Sequence, residues 1–216
     1  MSENAVRPGT RQVGASAQLA VAGLGLAGLA WAARAVWQIR LAMAGEPVSG
    51  PPDQGEGVHR PLNALEDSYH LVSTAGEAAT LLCAVLFVGW LWRMRDNASA
   101  LSGERPRYHG LWVYAGWIVP IANLWIPRGL VADIHRKSAP DRKLPLVVNV
   151  WWALWLAGMV SGVGLMYADD TDDVIARAYD GVTPLLLADA TVIGAAVAGI
   201  LMVRTLTAVQ NVRIGE

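Results

Sequence analysis

The chain has 216 residues, of which 54% are apolar and only 16% charged, and its mean hydropathy is positive. That balance excludes an ordinary soluble domain and points to an all-α, polytopic membrane protein folded as one integral membrane domain. The formal net charge of −1 conceals a positional asymmetry. Arg and Lys gather over residues 93–143, whereas Asp dominates 169–180. Cys83 is the only cysteine, which excludes an internal disulfide and a cysteine-rich metal site.

After a polar start carrying Arg7 and Arg11, residues 13–39 form an apolar run longer than the roughly 7–15 residues of a secretory signal core. It predicts a first transmembrane helix. Gly23, Gly25 and Gly28 within it spell G-x-G-x-x-G. No strand precedes them, so they do not make a dinucleotide site; small residues that let helices approach closely explain them better. Residues 40–67 are rich in Pro, Gly and acids and predict a flexible loop, in which His59 lacks a metal-ligand partner at useful spacing. Glu66, Asp67 and Ser68 offer capping groups ahead of a second span over 69–92. Ala75, Ala79 and Cys83 recur along that span every four residues and mark a packing face.

A basic connector then leads into residues 109–138. This stretch is apolar, but it is short for a span and is interrupted by Pro120, Asn123 and Pro127. Residues 146–167 give the third span, with Gly158 and Gly162 as a helix-contact pair. Next comes the acidic loop 168–183. Its aspartates suit the start of a short helix better than a calcium loop, because the glycine and distal glutamate of an EF-hand are missing. The last span covers 184–205.

Four spans place Arg7, Arg11, the whole 93–143 region, Arg204 and Arg213 on one side, and the positive-inside rule makes that side cytoplasmic, with both termini. A fifth span over 109–138 would force Arg128, Arg136, Lys137, Arg142 and Lys143 outward. That segment is therefore expected to be a broken re-entrant or interfacial helical element between the second and third spans, ending in an amphipathic helix at the cytoplasmic interface. Its candidate binding residues are Trp117, Pro120, Asn123, Trp125, Pro127 and Arg128. The expectation is that Trp117, Asn123 and Trp125 face Trp151, Trp152 and Trp155 of the third span across a cavity.

The sequence from Gly116 to Pro127, GWIVPIANLWIP, followed by Asp133-Ile134 and by Trp151-Trp152, resembles the signature of a bacterial membrane family known as domain of unknown function 4328. The resemblance runs from about Tyr69 to the C-terminus. It implies a multi-helix protein of the bacterial cell membrane and brings no activity, substrate or catalytic residue with it. An excess of Arg over Lys, with abundant Ala and Gly, suits a high-GC bacterial genome.

Arg34, Glu77 and Asp189 fall inside spans, where ionisable groups are costly and normally paired. They are expected to form a cluster, as interhelical glue or as an ion or proton pathway. His59, His70, His109 and His135 show no H-E-x-x-H pattern, and no nucleophile elbow or P-loop is present. The expected protein is not an enzyme and carries no catalytic, cofactor or metal site. Its basic segments flank membrane runs and suit anionic headgroups, not nucleic acid. The leading expectation is a lipid- or partner-binding membrane adaptor, with a membrane protein partner or a homo-oligomer. The alternative is a small oligomeric transporter or channel using Arg34, Glu77 and Asp189.

Overall fold

The computed structural model describes residues 10, 12–56, 58–161 and 170–215. Its elements in chain order are α1 (Gly14–Ala44), α2 (Ala64–Ser102), α3 (Trp112–Ile118), a 3-10 turn at Ala122–Leu124, α4 (Ile126–Ser138), α5 (Leu146–Val160), α6 (Thr171–Gly181) and α7 (Thr183–Gly215). Among the described residues three helices, α1, α2 and α7, are long and apolar enough to cross a membrane, and α5 is a shorter apolar helix. At roughly 1.5 Å per residue, the 31 residues of α1 reach about 46 Å, well beyond a ~30 Å hydrocarbon core. The protein is a multi-pass membrane protein in which α3, the turn and α4 form a broken element ahead of α5. The outer part of the expected third span, including Gly162, lies outside the described residues.

The helices outrun the apolar runs because polar turns continue them. Asn63 caps α2: its side chain accepts from the Leu65 and Glu66 N–H groups at 2.9 and 3.0 Å, and Glu66 accepts the Asn63 N–H in return at 2.9 Å. This is a capping box, so the cap lies ahead of the Glu66-Asp67-Ser68 group. The stretch expected as a loop over 40–67 shortens to 45–63, and it is hydrogen-bonded. Gln54 and Val58 pair through the backbone, and Arg60 donates its N–H to Pro52.

The contacts divide into two compact units. The first comprises Met1–Gly25, Leu82–Trp152 and Val197–Glu216; the second comprises Leu26–Leu81 and Ala153–Ala196. In the first unit small residues set the helix spacing. A Cβ on Gly23 would sit 3.2 Å from Cys83 Cα, and one on Gly199 would meet Leu24 and Trp151 at 3.3–3.4 Å. Buried polar bonds then lock the helices, as expected where lipid removes the hydrophobic drive for association. Trp90 donates to Thr207 at 3.1 Å, Asn97 donates to Gln210 at 3.2 Å, and Gln210 donates to the Met94 carbonyl and to Ser138.

α4 is more enclosed than an amphipathic pattern implies: Leu130, Val131, Asp133, Ile134, His135, Lys137 and Ser138 are all buried, while Arg136 stays exposed. α3 presses on its first turn, where a Cβ on Gly116 would stand 2.7 Å from Ile126 Cγ2. Gly116→Ala is accordingly expected to force α3 and α4 apart at a cost of about 1–3 kcal/mol, read as a lowered unfolding midpoint in detergent.

In the second unit Trp31, Leu41, Tyr69, Val174, Ile175, Ala178, Leu185, Ala188 and Val192 make the core. Gly28 lies against Ala196, where a Cβ would be 3.2 Å from its methyl, and Gly158 lies against Val192. Asp170 caps α6 by accepting the Asp172 N–H at 3.4 Å.

Candidate functional site

The expected tryptophan cavity is a packed aromatic cluster whose centre is Phe87, a residue the sequence reading passed over. The Phe87 ring stands 5.3 Å from Trp90, 5.7 Å from Trp117 and 5.8 Å from Trp151. Trp117 and Trp151 are 6.2 Å apart, and Trp151 is 5.6 Å from Trp152. These are packing distances for aromatic pairs. Trp125 does not join them; it is 53% exposed. Trp155 belongs to the second unit. Phe87 continues the Ala79, Cys83 stripe by one more step of four, and that continuation was the available signal.

The broken element owes its shape to three residues. Pro120 has no N–H to give, so helix α3 ends there. Asn123 is fully buried and donates its side-chain amide to the Trp117 carbonyl at 3.1 Å, replacing a missing backbone bond. Pro127 occupies the first turn of α4, where a missing donor costs nothing. Beyond them Arg128 donates through Nε (3.0 Å) and Nη2 (2.6 Å) to Asn149 Oδ1 of α5. Ile118, Val119, Ile121, Leu124 and Trp125, which surround the break, are all exposed. Arg105, Arg107, Arg136, Arg142 and Lys143 of the same unit are exposed as well.

Of the expected intramembrane cluster, the structure brings together two members. Arg34 and Asp189 interact in the second unit, with Gln38 beside the carboxylate. Arg34 Nε and Gln38 Nε2 each donate to the Tyr69 hydroxyl at 3.2 Å. Asp189, Gln38 and Tyr69 are fully buried. Glu77 is not part of this group: it is exposed on α2. Gln38 follows Arg34 by four residues and shares its helix face, whereas nothing in the sequence marked Tyr69 as a hydroxyl partner.

A second polar node ties loop 45–63, α2 and α6 together outside the apolar spans. Glu66, with no exposed side-chain surface, accepts from Arg60 Nη2 at 2.6 Å and Nη1 at 2.8 Å. It also accepts from the Tyr179 hydroxyl at 2.7 Å. Burial pushes the Glu66 carboxyl up, but the bonds from Arg60, Tyr179 and the Asn63 N–H outweigh it and hold the group down to about 2. Burial and the neighbouring Glu66 charge push Tyr179 up to about 12. Arg60 also donates through Nε to the Gly50 carbonyl at 2.7 Å, which anchors the loop. Beside this node Asp172 meets His70 Nε2 at 2.8 Å and His59 Nδ1 at 3.6 Å. His59, without a metal-ligand partner at useful spacing in the sequence, gains in Asp172 an acid partner that is remote in the chain.

Among the described residues no group of three or more His, Cys, Asp or Glu side chains is arranged to hold a metal ion. No curated protein and no solved structure matches the chain. The broken element, the aromatic cluster, Tyr69 and Asp189 of the first polar node and most of the second fall within residues 61–208, which match the model of the family described as Domain of unknown function (DUF4328), and the chain belongs to that family.

Proposed function

We propose that this integral membrane protein is a non-enzymatic adaptor of the bacterial cell membrane that binds anionic lipid headgroups through its broken element. The observation that carries the reading is the exposed apolar break, Ile118 to Trp125, in the same unit as exposed Arg105, Arg107, Arg136, Arg142 and Lys143. Apolar residues that enter acyl chains, with cations at headgroup level, make a surface that favours negatively charged lipid by about 1 kcal/mol per cation. Both termini and the 93–143 region lie on the cytoplasmic side in this reading, by the positive-inside rule.

The test is native mass spectrometry of protein released from nanodiscs of mixed anionic and zwitterionic lipid. The expected result is enrichment of anionic lipid, reduced about tenfold or more when Arg105, Arg107, Arg142 and Lys143 are changed together to Gln. Equal retention of the two lipid classes overturns the proposal. A reporter fused after Lys143 and found outside the cell overturns the topology. The transporter or channel alternative is favoured by one observation, the burial of Asp189 beside Arg34. It requires ion flux in proteoliposomes that Asp189→Asn abolishes.

A further inference from the structure

Within the second unit one carboxylate stands between two imidazoles from different parts of the chain. Asp172, in the first turn of α6, turns Oδ1 to His70 Nε2 of α2 at 2.8 Å and Oδ2 to His59 Nδ1 of loop 45–63 at 3.6 Å. The two contacts differ in kind. The His70 ring is at hydrogen-bond distance, whereas the His59 ring is beyond the ~3.2 Å of a good N–H···O bond but within reach of an ion pair. A neutral imidazole at that separation contributes little, and a charged one is attracted. The Asp172 side chain is 17% exposed and that of His59 is 55% exposed, so the carboxylate is held in place while the imidazole is open to protons from solvent.

His59 is also placed to fix a defined piece of backbone. Gln54 N–H donates to the Val58 carbonyl at 2.9 Å and Arg60 N–H to the Pro52 carbonyl at 3.0 Å, which folds residues 52–60 back on themselves with His59 opposite Asp53. We propose that His59 is a pH-operated latch: protonated, it fastens the 52–60 turn to Asp172 of α6, and neutral, it releases it. His70 steadies the receiving carboxylate in both states, since an imidazole N–H donates whether the ring is neutral or charged. Arg60 keeps the base of the turn on Glu66. The latch therefore adds an acid-dependent tie to a permanent one, and it does not rest on lipid binding.

The other charged and titratable groups around the pair do not imitate it. Arg60 of the loop, Glu66 of α2 and Tyr179 of α6 form one bonded node beside Asp172. The Glu66 carboxyl, at about 2, stays ionised and the Tyr179 hydroxyl, at about 12, stays neutral wherever histidine titrates. Asp53 accepts the Gly55 N–H at 2.8 Å, and Asp170 caps α6. Asp67 and Asp173 are the neighbouring acids on α2 and α6. From α1, Arg34 bonds the Tyr69 hydroxyl and Arg40 lies over the Trp37 ring at 4.8 Å. The first turn of α7 carries no charged residue.

The test is hydrogen–deuterium exchange of the full chain in nanodiscs at about pH 8 and about pH 5, the interval in which histidine changes charge, read as protection factors so that the chemical exchange rate cancels. On acidification the wild type is expected to gain about two- to fivefold protection over residues 52–60, the scale of an exposed ion pair, and to lose that gain at high salt. His59→Gln and Asp172→Asn are expected to show no gain. His59→Lys carries its cation at both pH values, so it is expected to be protected at both and to respond to neither. His59 lies on the surface, so its two variants read the latch without depending on the core. Wild-type protection that is unchanged or falls on acidification overturns the latch, as does a gain that survives His59→Gln or His59→Lys.

Discussion

Glu66→Ala is expected to destabilise the second unit by about 3–5 kcal/mol, the cost of removing one partner of an enclosed ion pair. Arg60, 10% exposed, would then lose both bonds to the carboxylate, and the Tyr179 hydroxyl and Asn63 N–H would lose their acceptor. The double change Arg60→Met with Glu66→Leu removes both charges at once and is expected to cost less than either Arg60→Met or Glu66→Leu alone. Faster amide hydrogen exchange over residues 45–63 in Glu66→Ala checks the location, because Arg60 anchors that loop through the Gly50 carbonyl. The same group gives an acid signature. Its carboxyl is held at about 2 against an ordinary 4.5, so the unfolded chain binds the proton more readily than the fold does. The contribution is complete above about 4.5 and is lost as pH falls from there towards about 2. Glu66→Gln is expected to flatten the acid limb of the stability profile in that window.

Asp133→Ala is the counterpart in the first unit, again at about 3–5 kcal/mol, because it isolates a buried cation. Asp133 accepts the Arg107 N–H at 3.1 Å and the Arg136 guanidinium, and Lys137 Nζ stands 3.9 Å from it. Lys137, 8% exposed, also donates to the Glu104 and Arg105 carbonyls. One acid and one base, four residues apart on α4, thus hold the connector between α2 and α3. Asp133→Asn keeps an acceptor for the Arg107 N–H and is expected to lose only about 1–3 kcal/mol. Limited trypsin digestion after Arg107 reads the effect directly: cleavage speeds up strongly in the Ala variant and weakly in the Asn variant. Unchanged cleavage in both would show that the connector is held by something other than this pair.

Much of the packing was written in small residues. Gly23, Gly28, Cys83 and Gly158 all sit where another helix comes close, as their spacing in apolar runs implied. The same stripe contains the answer for Glu77. It lies two residues before Ala79, about 200° around the helix at ~100° per residue, so a face built on Ala79, Cys83 and Phe87 turns Glu77 away. Nothing in the sequence marks Asp133 and Lys137 as buried, yet these two satisfy each other and the connector inside the protein.

For residues 109–138 the sequence alone determined that the chain must break, because Pro120 lacks a donor and the apolar run is too short to span. It also determined the number and order of the apolar helices, since length and hydropathy are properties of the chain read locally. Only the tertiary structure decided that α4 is buried, that Phe87 gathers the tryptophans, and that Asp189 faces Gln38 and Arg34 while Glu77 does not. Those outcomes depend on which faces of α1, α2, α4 and α7 turn towards one another. Helix periodicity fixes angles within one helix, and only packing supplies the partner across the gap.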